Sequence, residues 1–251
     1  MSVNQVTGVV GEGERASFER DGYLVIDTEL PDSVLDGVIE DLSTVYGDPQ
    51  PDGTVKYHMY TRQQDYWQES ENAKKLVLLP KILSTLRELY GHEPLPFQTL
   101  NFPIGTEQRV HSDAYHFNSM PSGYMCGVWI ALEDMDMDNG PLVYYPGSHK
   151  LPELWPRDLG VPKGKDHYDV YEAHLEKLIE EKGLEPRHAT VERGKAFIWA
   201  SNLMHGGSKR RDESRTRHSQ VTHYFFEGTK YYTPMESDDD YTHWRDPNWI
   251  R

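Results

Sequence analysis

His111 and Asp113 stand one residue apart in "RVHSDAYHF", residues 109–117. On an extended strand, side chains alternate with a period of two, so a His-x-Asp pair presents an imidazole and a carboxylate to one face. One further histidine from a distant strand completes a set of two histidines and a carboxylate, which suits Fe(II) and leaves coordination positions open. The tripeptide alone is weak evidence, because the chain contains three of the type: His111/Asp113, His167/Asp169 and His174/Glu176. Context separates them. His174 and Glu176 fall in a helical pattern, where residues two apart diverge. His167 and Asp169 lie in the polar stretch "KGKDHYDVY" that leads into it. Only His111 and Asp113 border a segment rich in strand formers.

The third ligand is sought among His188, His205, His218 and His223. His205 is favoured: "GKAFIWASNLMHGGS" runs from a strand into a turn, and two glycines after the histidine let backbones approach closely. It lies 92 residues beyond Asp113, far enough for several strands to intervene. His149, in "YPGSHK", reads as a surface turn residue. Strand parity puts His116 opposite His111, so it is assigned to the substrate pocket or to structure rather than to the metal. Tyr115 to Phe117 are expected to begin that pocket.

A metal set of this kind that uses an anionic cosubstrate needs an anchor for it. Arg217 and Ser219, two apart in "TRHSQVTHYF", share a strand face, and a guanidinium fork with an added hydroxyl clamps a carboxylate well. Arg215 has the same parity and competes for the role.

The elements that must position these groups follow from periodicity. Residues 1–14 are Gly-rich and polar and are expected to be loose. "SFERDGYLVID" reads as a helix and a strand, and Val34, Leu35, Val38, Ile39, Leu42 and Val45 mark an amphipathic helix behind Pro31 and Asp32. "NAKKLVLLPKILSTLRELYG" is helical on both sides of Pro80. From about residue 96 the runs "FQTLNFP", "SGYMCGVWIALED", "GPLVYYPGS", "ATVERGKAFIWAS" and "TRHSQVTHYFFEG" are short, β-branched and aromatic, and are separated by turn residues. One helix, residues 169–183, interrupts them and ends at Gly183. The prediction is a mainly β chain with flanking helices (α+β). It forms one domain over 1–251: helical support over 15–95, and a β core over 96–230 with a helical insertion near 165–183. No repeat or low-complexity tract divides it. The acidic "MESDDDYTHW" reads as a solvated loop without a function.

Composition excludes several classes. A chain of 251 residues with a formal charge of −15 lacks the clustered Lys and Arg that grip nucleic acid. No apolar run is long enough for a membrane span, and the first residues show no signal-peptide pattern, so a cytoplasmic location is expected. Cys126 cannot form an internal disulfide and, within "YMCGVWIAL", reads as a core residue. A monomer or homodimer is expected.

Taken together, "HSDAYHF", "GVWIALEDMDMDNGPLVYYPGSHK", "NLMHGGS" and "RTRHSQVTHYF", with the opening "FERDGYLVI", resemble the phytanoyl-CoA dioxygenase family of Fe(II)- and 2-oxoglutarate-dependent oxygenases, over about residues 15–230. The resemblance implies a double-stranded β-helix, or cupin-like jelly roll. It implies that His111, Asp113 and His205 bind iron, and that Arg217 with Ser219 binds the 5-carboxylate of 2-oxoglutarate, with O2 as the other cosubstrate. By the same resemblance Trp129 lines the cosubstrate site and Gln98 faces it; separately, Lys56 and Tyr57 are expected to reach the pocket from the helical half. "HGGS" puts a hydroxyl at Ser208, one position later than the family pattern. A carboxylate ligand, where halogenating relatives carry a small residue, favours hydroxylation. The residues of "VKYHMYTRQQDYWQES" and "FNSMPSGYM" are expected to rim a pocket for a polar small molecule, with residues 150–190 as a lid. The rival reading is a jelly-roll protein that holds metal without turnover; it would have no use for Arg217.

Overall fold

The computed structural model describes residues 10–43, 45–46, 48–49, 55–56 and 62–251. Among these residues the α-helices are α1 Glu12–Asp21, α2 Asp32–Ser43, α3 Glu71–Val77, α4 Pro80–Tyr90 and α5 Tyr168–Lys182. The strands, in order, are β1 Tyr23–Asp27, β2 Asp48–Pro49, β3 Val55–Lys56, β4 Gln63–Gln64, β5 Pro94–Phe102, β6 Asn118–Met120, β7 Met125–Ala131, β8 Leu142–Tyr144, β9 Arg187–His188, β10 Lys195–Ala200, β11 His205–Gly207, β12 Ser219–Phe226 and β13 Lys230–Tyr232. A six-stranded antiparallel sheet runs β1-β10-β7-β12-β5-β4, and a three-stranded sheet runs β11-β8-β9.

Every residue of β7 and β12 is buried, although an antiparallel strand with one wet face would alternate. The reason is that the large sheet is covered on both faces. Cys126, Val128 and Ile130 of β7, Ala196 and Ile198 of β10, and Tyr224 and Phe226 of β12 face the helices, where they pack against Leu35, Val38, Leu42, Leu76, Ile82 and Leu86. The alternate residues Trp129, Phe197, Trp199 and Val221 face the small sheet and meet Tyr144 and Leu203. Polar ties reinforce the helical side: Gln220 Nε2 donates to Ala73 O at 3.0 Å and the Tyr224 hydroxyl to Val77 O at 2.7 Å, satisfying carbonyls of α3.

Most expected elements are present, with informative differences. Helix α1 begins at Glu12, so residues 12–14 are not loose; residues 1–9 lie outside those described. Pro80 divides the long helical pattern into α3 and α4, occupying the first turn of α4, where its missing N–H costs nothing. Helix α2 ends at Ser43 and leaves Val45 exposed. The expected helical support contributes β1 and β4 to the edges of the large sheet, an assignment that local periodicity does not carry. The helical insertion appears as α5, closed by Gly183 at φ 61°. The acidic segment is a largely exposed loop, as expected, with surface ion pairs between Asp239 and Arg157 at 2.5 Å and between Asp238 and Lys163 at 2.7 Å. Among the described residues, no helix is long and apolar enough to cross a membrane.

Candidate metal centre

Backbone pairing brings two distant histidines together. His111 N donates to His205 O at 2.8 Å and His205 N to His111 O at 2.9 Å, leaving the ring centroids 4.4 Å apart. The glycines after His205 make this contact possible. A Cβ on Gly206 would stand 2.7 Å from Gln108 O, and one on Gly207 2.8 Å from Glu107 N. Gly206→Ala is therefore expected to push β11 off residues 107–111 and weaken metal binding about tenfold or more. Isothermal titration with Zn(II) would measure this, and an affinity equal to wild type would refute it.

Asp113 does not lie on a strand. Ser112 is extended, at φ −125° and ψ 133°, but Asp113 opens a 3-10 turn, Asp113–Tyr115. The turn is held by Ala114 N donating to Ser201 O at 2.9 Å, and by Ser112 N donating to the Tyr171 hydroxyl of α5 at 2.8 Å. His111 and Asp113 still converge, because only the one extended residue between them is needed. With the turn in place, strand parity does not describe His116. Its ring lies on the wall of the same cavity as His111 and Asp113, with Nε2 hydrogen-bonded to the Tyr168 hydroxyl at 2.9 Å.

His111, Asp113 and His205 each offer a ligand atom, all within 4.8 Å of one another, and they are the one such group found among the described residues. All three are buried. Each histidine has Nδ1 against the carbonyl two residues earlier, His111 to Arg109 O at 3.0 Å and His205 to Leu203 O at 2.9 Å. A proton held on Nδ1 leaves the Nε2 lone pair free for a metal. Burial, reinforced by His205, pushes the His111 ring down to about 3, which favours the neutral base that a metal requires. For Asp113, burial alone would raise the carboxyl. The surrounding His205, His223 and His111 outweigh it and hold the group below the usual carboxylate range.

Arg217 lines an inner chamber of about 70 Å³ together with His111, Asp113, His205 and Trp129. It is 3% exposed, and its Nε and Nη1 have no hydrogen-bond partner, while its guanidinium sits 5.4 Å from the Trp129 ring centroid. Burial pulls its pKa down to about 10, with Glu133 opposing, so it remains a cation at neutral pH. Trp129 Nε1 is likewise buried without a partner. Arg215 turns outward, its Nη1 donating to both carboxylate oxygens of Asp136 at 2.7 and 2.9 Å.

Other expected positions are distributed less favourably. Ser219, at the start of β12, has a buried hydroxyl without a partner but does not line the chamber. Gln98 faces an outer cavity of about 580 Å³, not the Arg217 chamber, and bonds His223. Lys56 is exposed on β3, and Tyr57 lies outside the described residues. The Ser208 hydroxyl turns to His188 Nδ1 at 2.9 Å. His149 is half-buried beneath Gly22 rather than on the surface. Cys126 is core. Trp199 and Tyr171 are missing from the sequence reading, and His223 appears there only as a possible ligand. Their strand or helix parity was legible, but not the loop that they support.

A family model described as phytanoyl-CoA dioxygenase matches residues 18–219. The zebrafish (Danio rerio) phytanoyl-CoA dioxygenase domain-containing protein 1 is 28% identical over 182 residues, covering 71% of this chain and 57% of its own length. Bovine (Bos taurus) peroxisomal phytanoyl-CoA dioxygenase is 24% identical, covering 89% of this chain and 70% of that protein. Apo EctD from S. alaskensis superposes with a TM-score of 0.71 at 21% identity, over all of this chain and 89% of its own. The non-haem α-ketoglutarate-dependent carbocyclase SnoK from nogalamycin biosynthesis gives 0.66 at 18%, covering 90% and 89%. At these identities the solved structures share the fold.

Proposed function

The chain belongs to the phytanoyl-CoA dioxygenase family, and from that premise we propose that it is a non-haem Fe(II)- and 2-oxoglutarate-dependent oxygenase that hydroxylates a polar small molecule. The observation that carries the reading is a buried cation with unused donors facing a buried two-histidine, one-carboxylate set across a small chamber. The donor set fits Fe(II), with positions left open, and the Arg217 fork fits a carboxylate. In this reading the six-stranded and three-stranded sheets are the two halves of a double-stranded β-helix, in one domain acting in the cytoplasm as a monomer or homodimer.

Fe(II) with 2-oxoglutarate and O2 supplies the oxidation, one oxygen atom leaving in succinate beside CO2 and the other entering the substrate as hydroxyl. The protein's share is orientation and exclusion of water. His111 and His205 are oriented by hydrogen bonds from Nδ1 to the carbonyls of Arg109 and Leu203, which turns Nε2 toward the metal position. Arg217 receives the distal carboxylate of 2-oxoglutarate, which fixes the 2-oxo end toward the histidines, and Trp129 packs against the guanidinium. Substrate enters through the outer cavity, where Gln64, Gln98, His116 and Tyr168 offer polar contacts and Arg62 and Lys165 carry positive charge. Among the described residues, Leu100, Phe117 and Met235 are its apolar side chains, interspersed with the polar groups.

Mixing the protein anaerobically with Fe(II) and 2-oxoglutarate is expected to produce the weak visible charge-transfer band of the chelated 2-oxo acid. Tight metal loading without the band would remove the oxygenase reading and leave a metal-holding binding protein.

A further inference from the structure

One rung crosses the large sheet beneath the candidate metal centre. Trp199 on β10 pairs with Gly127 on β7, Gly127 with His223 on β12, and His223 with Gln98 on β5. Partners in register present their side chains to the same face, here the face that carries the chamber. The glycine in the middle is required by space: a Cβ at Gly127 would stand 2.3 Å from the Trp199 ring. The indole therefore lies over β7, and its Nε1 donates to Asp113 Oδ2 at 2.7 Å. From the other side His223 brings Nε2 to 3.6 Å from the same oxygen, while its Nδ1 is hydrogen-bonded to Gln98 Oε1 at 3.1 Å. Trp199 is 2% exposed, so its N–H has no water to turn to, and a buried carboxylate accepting an indole N–H is a charge-assisted bond.

We propose that Trp199, with Gly127 making room for it and His223 braced by Gln98, is a positioning device for Asp113. It engages Oδ2 and leaves the other oxygen as a single-atom metal ligand. The inference rests on the metal-site reading above. It assigns positioning roles to four residues: an apolar ring at 199 would pack without the N–H that Asp113 accepts, and Gly127 is needed only because the indole lies over it.

The test is anaerobic titration of Co(II) into apo wild type, Trp199→Phe, Gly127→Ala and Gln98→Leu, with the visible Co(II) spectrum and thermal melting recorded for each. Trp199→Phe is expected to lower Co(II) affinity about 10- to 100-fold, the range for partners that orient a ligand, and to alter the Co(II) absorption while the apo protein still melts cooperatively. Gly127→Ala should weaken binding similarly by displacing the indole. Gln98→Leu, which does not touch Asp113, should cost about threefold to tenfold through His223, and it decides the matter if the sheet variants do not fold. Affinity and spectrum within twofold of wild type in Trp199→Phe, or in Gln98→Leu where the sheet variants are unfolded, would overturn the proposal. Failure of wild type itself to bind Co(II) would overturn the metal-site reading first and the rung with it.

Discussion

Asp113→Ala is expected to reduce 2-oxoglutarate turnover by about a thousandfold or more and to destabilise the apo protein by about 1–3 kcal/mol. The first half follows from the donor set. Losing an outer partner of a metal ligand typically costs about 10- to 100-fold, and losing the charged ligand itself leaves two neutral imidazoles without a counter-charge for a dication. The second half follows from burial. Asp113 is 5% exposed, and its charge is held in the apo protein by Trp199 and nearby histidines rather than by a cation. The folded protein holds this carboxylate below its usual range, so the ionised group supports the fold, and its removal leaves the buried Trp199 N–H without an acceptor. What also disappears is the stabilisation that metal confers by binding only the folded state. Melting with and without Zn(II), alongside a succinate assay, separates the two effects. A variant that retains Zn(II)-induced stabilisation and turnover would move the metal elsewhere.

Why the centre was legible, and where the reading stopped, comes down to how far each inference reached along the chain. His111, Asp113 and His205 could be chosen because one needs only a two-residue spacing and the other only a pair of glycines after a strand. The strand assumed beneath Asp113 is instead a 3-10 turn. His111 and Asp113 converge because Ser112 alone had to be extended, whereas His116, expected in the pocket, lines it for a reason other than strand parity. Rung partners such as Trp199 and Gln98 depend on register between strands about 100 residues apart. Periodicity gives the face of a strand but not which residue of the next strand lies opposite. The same limit hid β1 and β4 at the edges of the large sheet. The ion pairs of the acidic segment depend on where the approach to α5 folds back, and no local pattern encodes that.

Arg217→Ala is expected to raise the KM for 2-oxoglutarate about 2 × 10²- to 5 × 10³-fold, equivalent to the ~3–5 kcal/mol lost when one partner of a buried charge pair is removed. Metal affinity should change little, because the Nε and Nη1 of Arg217 bond to none of the three ligands. Arg217→Lys should recover part of the loss, since an ammonium supplies the charge but not the planar two-pronged fork. Arg215→Ala is the internal control: its guanidinium is spent on Asp136 at the surface, and KM should stay within about twofold of wild type. The apo protein again argues for the assignment. A cation 3% exposed, with Nε and Nη1 unpartnered, is an unpaid desolvation cost in the empty chamber, and a bound dicarboxylate offsets it. Arg217→Ala should therefore melt no lower than wild type without ligand, yet fail to gain the stabilisation that 2-oxoglutarate gives the metal-loaded wild type. If instead it unfolds at lower temperature and binds 2-oxoglutarate normally, Arg217 is a structural residue and the cosubstrate is anchored by another group.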